Sequence, residues 1–123
     1  MKKSKTQPEV RADSGPFDRA HLERMTQGDP LLAREVLRLF DSQAERQLEV
    51  MASADNAKVR AEAAHTLKGA ARGVGAFAVA RIAEDVEACA KDELAFASSL
   101  ARLRVRVAEA RLALPDILRL LRD

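Results

Sequence analysis

A chain of 123 residues has room for one compact domain and not for two of ordinary size. Its 21 basic and 19 acidic side chains leave a net charge of +2 and are spread along the chain, which excludes the concentrated basic footprint of a nucleic-acid binder. The absence of Trp and Tyr removes base-stacking platforms, and a single cysteine, Cys89, excludes an internal disulfide and suits a reducing, cytoplasmic location.

Read in chain order, the elements are all helical. Residues 1–15 are polar and basic at the start, lack the apolar stretch of a signal peptide, and read as a disordered leader before a domain over residues 16–123. A short first helix runs from Asp18 to about Gln27. Gly28-Asp29-Pro30 stops it and opens the second, with Asp29 as N-cap and Pro30 at the first helical position. That second helix carries Leu32, Val36, Leu39, Phe40, Gln43, Gln47 or Leu48, and Met51 on one side. Asp55 is read as the N-cap of a third helix that ends near Arg72, stopped by Gly73 and Gly75.

A fourth helix covers residues 77–91, with Val79, Ile82, Val86 and Cys89 inward. The last segment repeats Leu100, Leu103, Val107, Ala110, Leu114, Ile117 and Leu121 at alternating spacings of three and four. Such a period fits a coiled coil or the last helix of a bundle. Pro115 predicts a kink or break, because an interior proline removes a hydrogen bond and crowds the turn before it. That favours the bundle and a monomer. No stretch of about 18 apolar residues exists, so no membrane span is expected. The core must come from Ala, Leu and Val, in a composition of good helix formers with few strand formers. The expected fold is all-α: an up-and-down antiparallel four-helix bundle with a short additional N-terminal helix.

The third helix holds the chemistry. At roughly 100° per residue, Val59, Ala63, Leu67, Ala70 and Val74 form the core stripe, and His65 falls on the opposite side. Ala61, Glu62, Lys68, Gly69 and Arg72 share its outward strip. Gly69 is the anomaly, since glycine in an exposed helix interior costs about 1 kcal/mol relative to alanine. In a chain this rich in alanine, clearance is a physical explanation: with no Cβ at i+4, another protein can reach the imidazole. Lys68, one turn on, can offer an ammonium to a phosphoryl group on the ring.

The segment AHTLKGAARGVGA, residues 64–76, resembles the signature of histidine-containing phosphotransfer (HPt) domains: His65, Leu67, Lys68, Gly69, then small residues, Val74 and Gly75. FDRAHLERMTQGDPLLAREVLRLF is similar to that family's first two helices, and IAEDVEACA to the acidic helix after the site. The resemblance covers roughly residues 17–120. It implies that His65 is the phosphorylated residue, through Nε2, that Lys68 supports the phosphoryl group, and that Gly69 permits docking of a receiver domain. It implies as partners the receiver domains of response regulators and hybrid histidine kinases. The receiver would bring the phospho-accepting aspartate and Mg²⁺, leaving this chain with no cofactor of its own. Ala70 stands where Ser is common, and Gly73 loosens the helix end.

Blander readings stand beside these. An isolated surface histidine usually does nothing, Lys68 can be a solvated charge, and Arg72 either steers an acidic partner or sits in water. His21, beside Leu22 and Met25, reads as structural, and Cys89 as packing. With two histidines and one cysteine at unrelated positions there is no zinc-ligand pattern. Arg102, Arg104, Arg106 and Arg111 scatter around their helix and read as solvated. No P-loop is present. A non-transferring adapter of the same shape is the competing function. The dimerising half of a sensor kinase is disfavoured because Thr66, not an acid, follows His65.

Overall fold

The computed structural model describes residues 15–121. They form five helices: α1 (Arg19–Met25), α2 (Pro30–Ser53), α3 (Ala57–Gly73), α4 (Phe77–Ala88) and α5 (Glu93–Leu120). No strand occurs among the described residues, and none of their helices is long and apolar enough to cross a membrane. The leader expected at the N-terminus falls on residues 1–14, outside the described residues, apart from Gly15, which stands in the turn before α1.

The four longer helices form a closed cycle of neighbours: α2 on α3, α3 on α4, α4 on α5, and α5 back on α2. Side-chain caps fix the starts of α1, α2, α3 and α5, whereas α4, which follows Ala76, has none. Asp18 caps α1 through His21 N–H, Asp29 caps α2 through Leu31 and Leu32, and Asp92 caps α5 through Leu94 and Ala95. Each cap satisfies a backbone donor that the helix cannot, a contribution of about 1 kcal/mol. Helix α3 begins one residue later than the sequence suggested. Asn56, in extended conformation, accepts from Val59 N–H at 2.9 Å, so Asn56 is the cap and Asp55 precedes it.

The buried faces differ from the expected ones in a consistent way. On α2 the buried residues are Ala33, Leu37, Phe40, Ala44 and Met51, whereas Leu32 and Leu39 are exposed. On α3, Ala64 and Ala71 are buried beside Ala63 and Leu67, while Val59 and Ala70 are only half-buried. On α4, Ala80 and Ala83 join Val79 and Val86 inside, and Ile82 and Cys89 lie at the edge. Weighting the larger side chains rotates each predicted stripe away from alanines that are buried where helices pack closely. The α5 stripe is buried as expected from Leu100 to Ile117, with Leu121 half-buried. Helix α5 also runs through Pro115 without the expected break, and α4 ends at Ala88, short of residue 91.

Two clasps position α3. At its start, Arg60 pairs with Glu93 at 3.1 Å, and its guanidinium lies 4.5 Å from the centre of the Phe96 ring, tying α3 to α5. At its end, Gly73 stays helical, and the turn is made by Gly75 alone, at φ +78°. A Cβ there would sit 2.8 Å from the Asp18 carbonyl oxygen, and Asp18 N–H donates to the Gly75 carbonyl at 2.9 Å. Glycine at this position therefore both permits the turn and lets the chain before α1 lie against it. His21 completes the junction: its Nε2 hydrogen-bonds the Arg72 carbonyl at 2.9 Å, and its ring meets Phe77 edge-on at 5.0 Å.

Candidate functional site

Between these clasps α3 presents His65 outward. Leu67, two residues on, is fully buried; that burial contributes about 2 kcal/mol and fixes the rotation of the helix. The same rotation leaves the His65 side chain 67% exposed. The ring is nevertheless oriented. Its Nδ1 lies 3.1 Å from Glu87 Oε2, on α4, while Glu87 Oε1 accepts from Lys68 Nζ at 2.9 Å. One carboxylate thus bridges the histidine and the lysine.

The electrostatics follow from that bridge. The Lys68 hydrogen bond holds the Glu87 carboxyl below its ordinary range, against partial desolvation; the Lys68 charge and the His65 contact act in the same direction. Glu87 is therefore an ionised acceptor near neutral pH. An acceptor at Nδ1 requires that this nitrogen carry the ring proton, which in the neutral imidazole leaves the lone pair on Nε2. Among the described residues Nε2 has no hydrogen-bond partner, so the nitrogen that bears the lone pair is the free one.

Lys68 departs from its expected setting. Its side chain is only 14% exposed and is held by Glu87, so it is not a solvated charge on the outward strip. Of the other strip residues, Glu62, Gly69 and Arg72 are exposed and Ala61 is half-buried. Ala61, Glu62, Thr66 and Glu87 line a shallow depression beside His65. Arg72 makes a 3.5 Å ion pair with Glu84. A Cβ at Gly69 would meet nothing within 4 Å outside its own helix backbone. No packing among the described residues therefore calls for the glycine.

Glu87 is the residue that sequence reasoning missed. The acidic character of α4 was legible, but three acids compete there, and each finds a different partner: Glu84 takes Arg72, Asp85 takes Arg102 at 3.7 Å, and Glu87 takes Lys68 and His65. Arg106 and Arg111 are likewise paired, with Glu109 and with Asp41 and Glu45. His21 is structural, as expected, since its ring is occupied by the Arg72 carbonyl and Phe77. Among the described residues no cluster of three or more His, Cys, Asp or Glu is arranged to hold a metal ion.

Comparison with known proteins gives the family of the chain that carries this site. The Hpt domain family model matches residues 35–122, from within α2 to the end of α5, and so includes His65, Lys68, Gly69 and Glu87. The chain belongs to the Hpt family. It is a histidine phosphotransfer domain of two-component signalling, the class that carries phosphoryl groups. Among solved structures, the histidine phosphotransferase ShpA from Caulobacter crescentus is similar at 33% sequence identity, over 88% of this chain and 100% of that one, with a TM-score of 0.58. No curated protein matches the chain.

Proposed function

We propose that His65 is the phosphoryl carrier of this Hpt domain, accepting from and donating to aspartates of receiver domains on response regulators and hybrid histidine kinases. The observation that carries the reading is the Glu87 contact: it engages Nδ1 and leaves Nε2 unpartnered on an exposed helix face. In the forward step the Nε2 lone pair attacks the phosphorus of an aspartyl phosphate. The N–P bond forms as the P–O bond to the aspartate breaks, and the electron pair leaves with the carboxylate. The ring then carries positive charge on the Nδ1–H side, where the Glu87 carboxylate faces it, and the reverse step runs through the same geometry.

Lys68 supports the transferred oxygens from one turn away, and Glu87 keeps its ammonium close to the histidine. Gly69 and the neighbouring surface of Ala61, Glu62 and Arg72 give the receiver room to dock. Mg²⁺ belongs with the receiver's acidic groups, and this chain contributes no cofactor. Each chain supplies every one of its own site groups, so one copy suffices for the transfer. The fold behind the site is an up-and-down antiparallel four-helix bundle of α2–α5 with α1 as a short additional N-terminal helix. The closed cycle of neighbours and the short connections support that topology. We assign the domain to residues 16–123, a leader to residues 1–15, and a cytoplasmic setting, where receivers and reduced cysteine coexist.

The test is acceptance of label from a panel of phosphorylated receiver domains by wild type and His65→Gln. Acid-labile, alkali-stable label on wild type alone is expected. Label on neither protein, with receiver binding intact, would replace the carrier by an adapter.

A further inference from the structure

At the site one carboxylate serves two donors, and that sharing restricts which residue position 87 can hold. Val86, fully buried on α4, fixes the rotation of that helix and turns Glu87 toward α3. The two helices then meet in a short ladder of ion pairs, Arg72 on Glu84 and Lys68 on Glu87. Asp85, between the two acids in sequence, is engaged with Arg102. Each acid of this stretch thus has its own cation, and among the described residues Lys68 has no acceptor other than Glu87. Glu62 and Thr66 line the depression beside His65, yet the ring's one hydrogen-bond partner among the described residues is Glu87.

We infer that Glu87 is a positioning residue that sets the His65 tautomer jointly with Lys68: because the ammonium claims one oxygen, only a side chain with a second acceptor can keep the ring proton on Nδ1 and Nε2 bare. The inference rests on the reading of His65 as a carrier through Nε2. An ammonium only donates and an ionised carboxylate only accepts, so Oε1 and Oε2 satisfy Lys68 at 2.9 Å and Nδ1 at 3.1 Å without competition.

Glutamine, the neutral side chain of the same shape, cannot do this. It has one acceptor and one donor end. The oxygen goes to Lys68, since a hydrogen bond from a charged donor is stronger than one from a neutral imidazole. The amide NH₂ then faces Nδ1 and requires that nitrogen to accept. The ring proton moves to Nε2, and the lone pair is lost from the position of transfer. Glu87→Gln is thus a tautomer inversion imposed by Lys68. Removing Lys68 as well frees the amide to turn its oxygen back to Nδ1.

The test is nitrogen-15 NMR of the imidazoles in the unphosphorylated full chain at about pH 8, above the ordinary imidazole range. His21 is an internal standard of the opposite tautomer, because its Nε2 must donate to the Arg72 carbonyl. Wild type is expected to show His65 with the proton on Nδ1, and Glu87→Gln to show it on Nε2. Phosphoryl acceptance is expected to fall about tenfold in Glu87→Gln, but the same substitution in a Lys68→Met background is expected to cost no more than about threefold. In Glu87→Ala, water replaces the carboxylate and both tautomers are expected. Circular dichroism checks that helicity is kept. A Glu87→Gln chain that keeps the proton on Nδ1, an equal loss in both Lys68 backgrounds, or Glu87→Ala with the Nδ1–H form alone would overturn the inference. Ring signals need no phosphoryl group, so a wild type with the expected tautomer that accepts no label would remove the carrier reading alone.

Discussion

The chain has two histidines, and the structure uses them in opposite ways. His21 is fixed from two sides, by the Arg72 carbonyl at the end of α3 and by the edge of Phe77, and it joins α1 to the α3–α4 turn. His65 is touched by a single carboxylate at one ring nitrogen and leaves the other to solvent. A histidine whose partners occupy both its ring face and its free nitrogen serves the fold. One that is oriented but not enclosed remains available for chemistry. The difference lies in surroundings, since neither residue type nor helical location separates the two.

That contrast can be broken experimentally, and the largest effect belongs to His65. His65→Gln is expected to lose phosphoryl acceptance completely while the melting temperature stays within a degree or two of wild type, because an exposed side chain contributes little to the core. A large drop in melting temperature would place His65 among the structural residues. Gly75→Ala strikes the other region. It forces a side chain into a left-handed backbone and against the Asp18 carbonyl, and a loss of about 2–4 kcal/mol is expected by urea unfolding. His21→Ala removes one hydrogen bond and one aromatic contact, for a loss of about 2 kcal/mol. It should leave acceptance by His65 intact, measured as initial rate from a phosphorylated receiver.

The smaller effects sharpen the picture of the site. Lys68→Ala is expected to slow transfer about tenfold without removing the acceptor; an unchanged rate would take Lys68 out of the mechanism. Glu87→Gln probes pH dependence. The Glu87 carboxyl is held below its ordinary range in the folded chain, so its contribution to stability is fully present above that range. The contribution is lost as pH falls through the range toward the lower folded value. The gap in melting temperature between wild type and Glu87→Gln is therefore expected to be small near neutrality, equivalent to below about 1 kcal/mol, and to close on acidification.

Much of the molecule was legible because local rules were left unopposed. Asp29 followed by Pro30 marks the start of α2 from local chemistry alone, and the seven-position stripe of α5 is long enough for its period to be unambiguous. The orientation of His65 followed from Leu67, two residues away, whose burial turns the helix. Less legible were faces built on alanine. On α2, the buried Ala33 and the exposed Leu39 reverse what side-chain size suggests, because a close helix crossing selects small residues whatever their hydrophobicity.

The sequence by itself determined the all-helical class, the helix starts at Asp29 and Pro30, the outward His65 and the glycine one turn beyond it. Each is set by contacts or periodicities within a few residues. Only the tertiary structure decided that Glu87, rather than Glu84 or Asp85, meets His65 and Lys68, because that choice depends on how α4 is rotated and displaced against α3. It likewise decided that Gly75 rather than Gly73 turns the chain, since the turn is closed by Asp18, far away in sequence. Interactions of that kind are fixed by the packing of whole helices, and no local window of the sequence contains them.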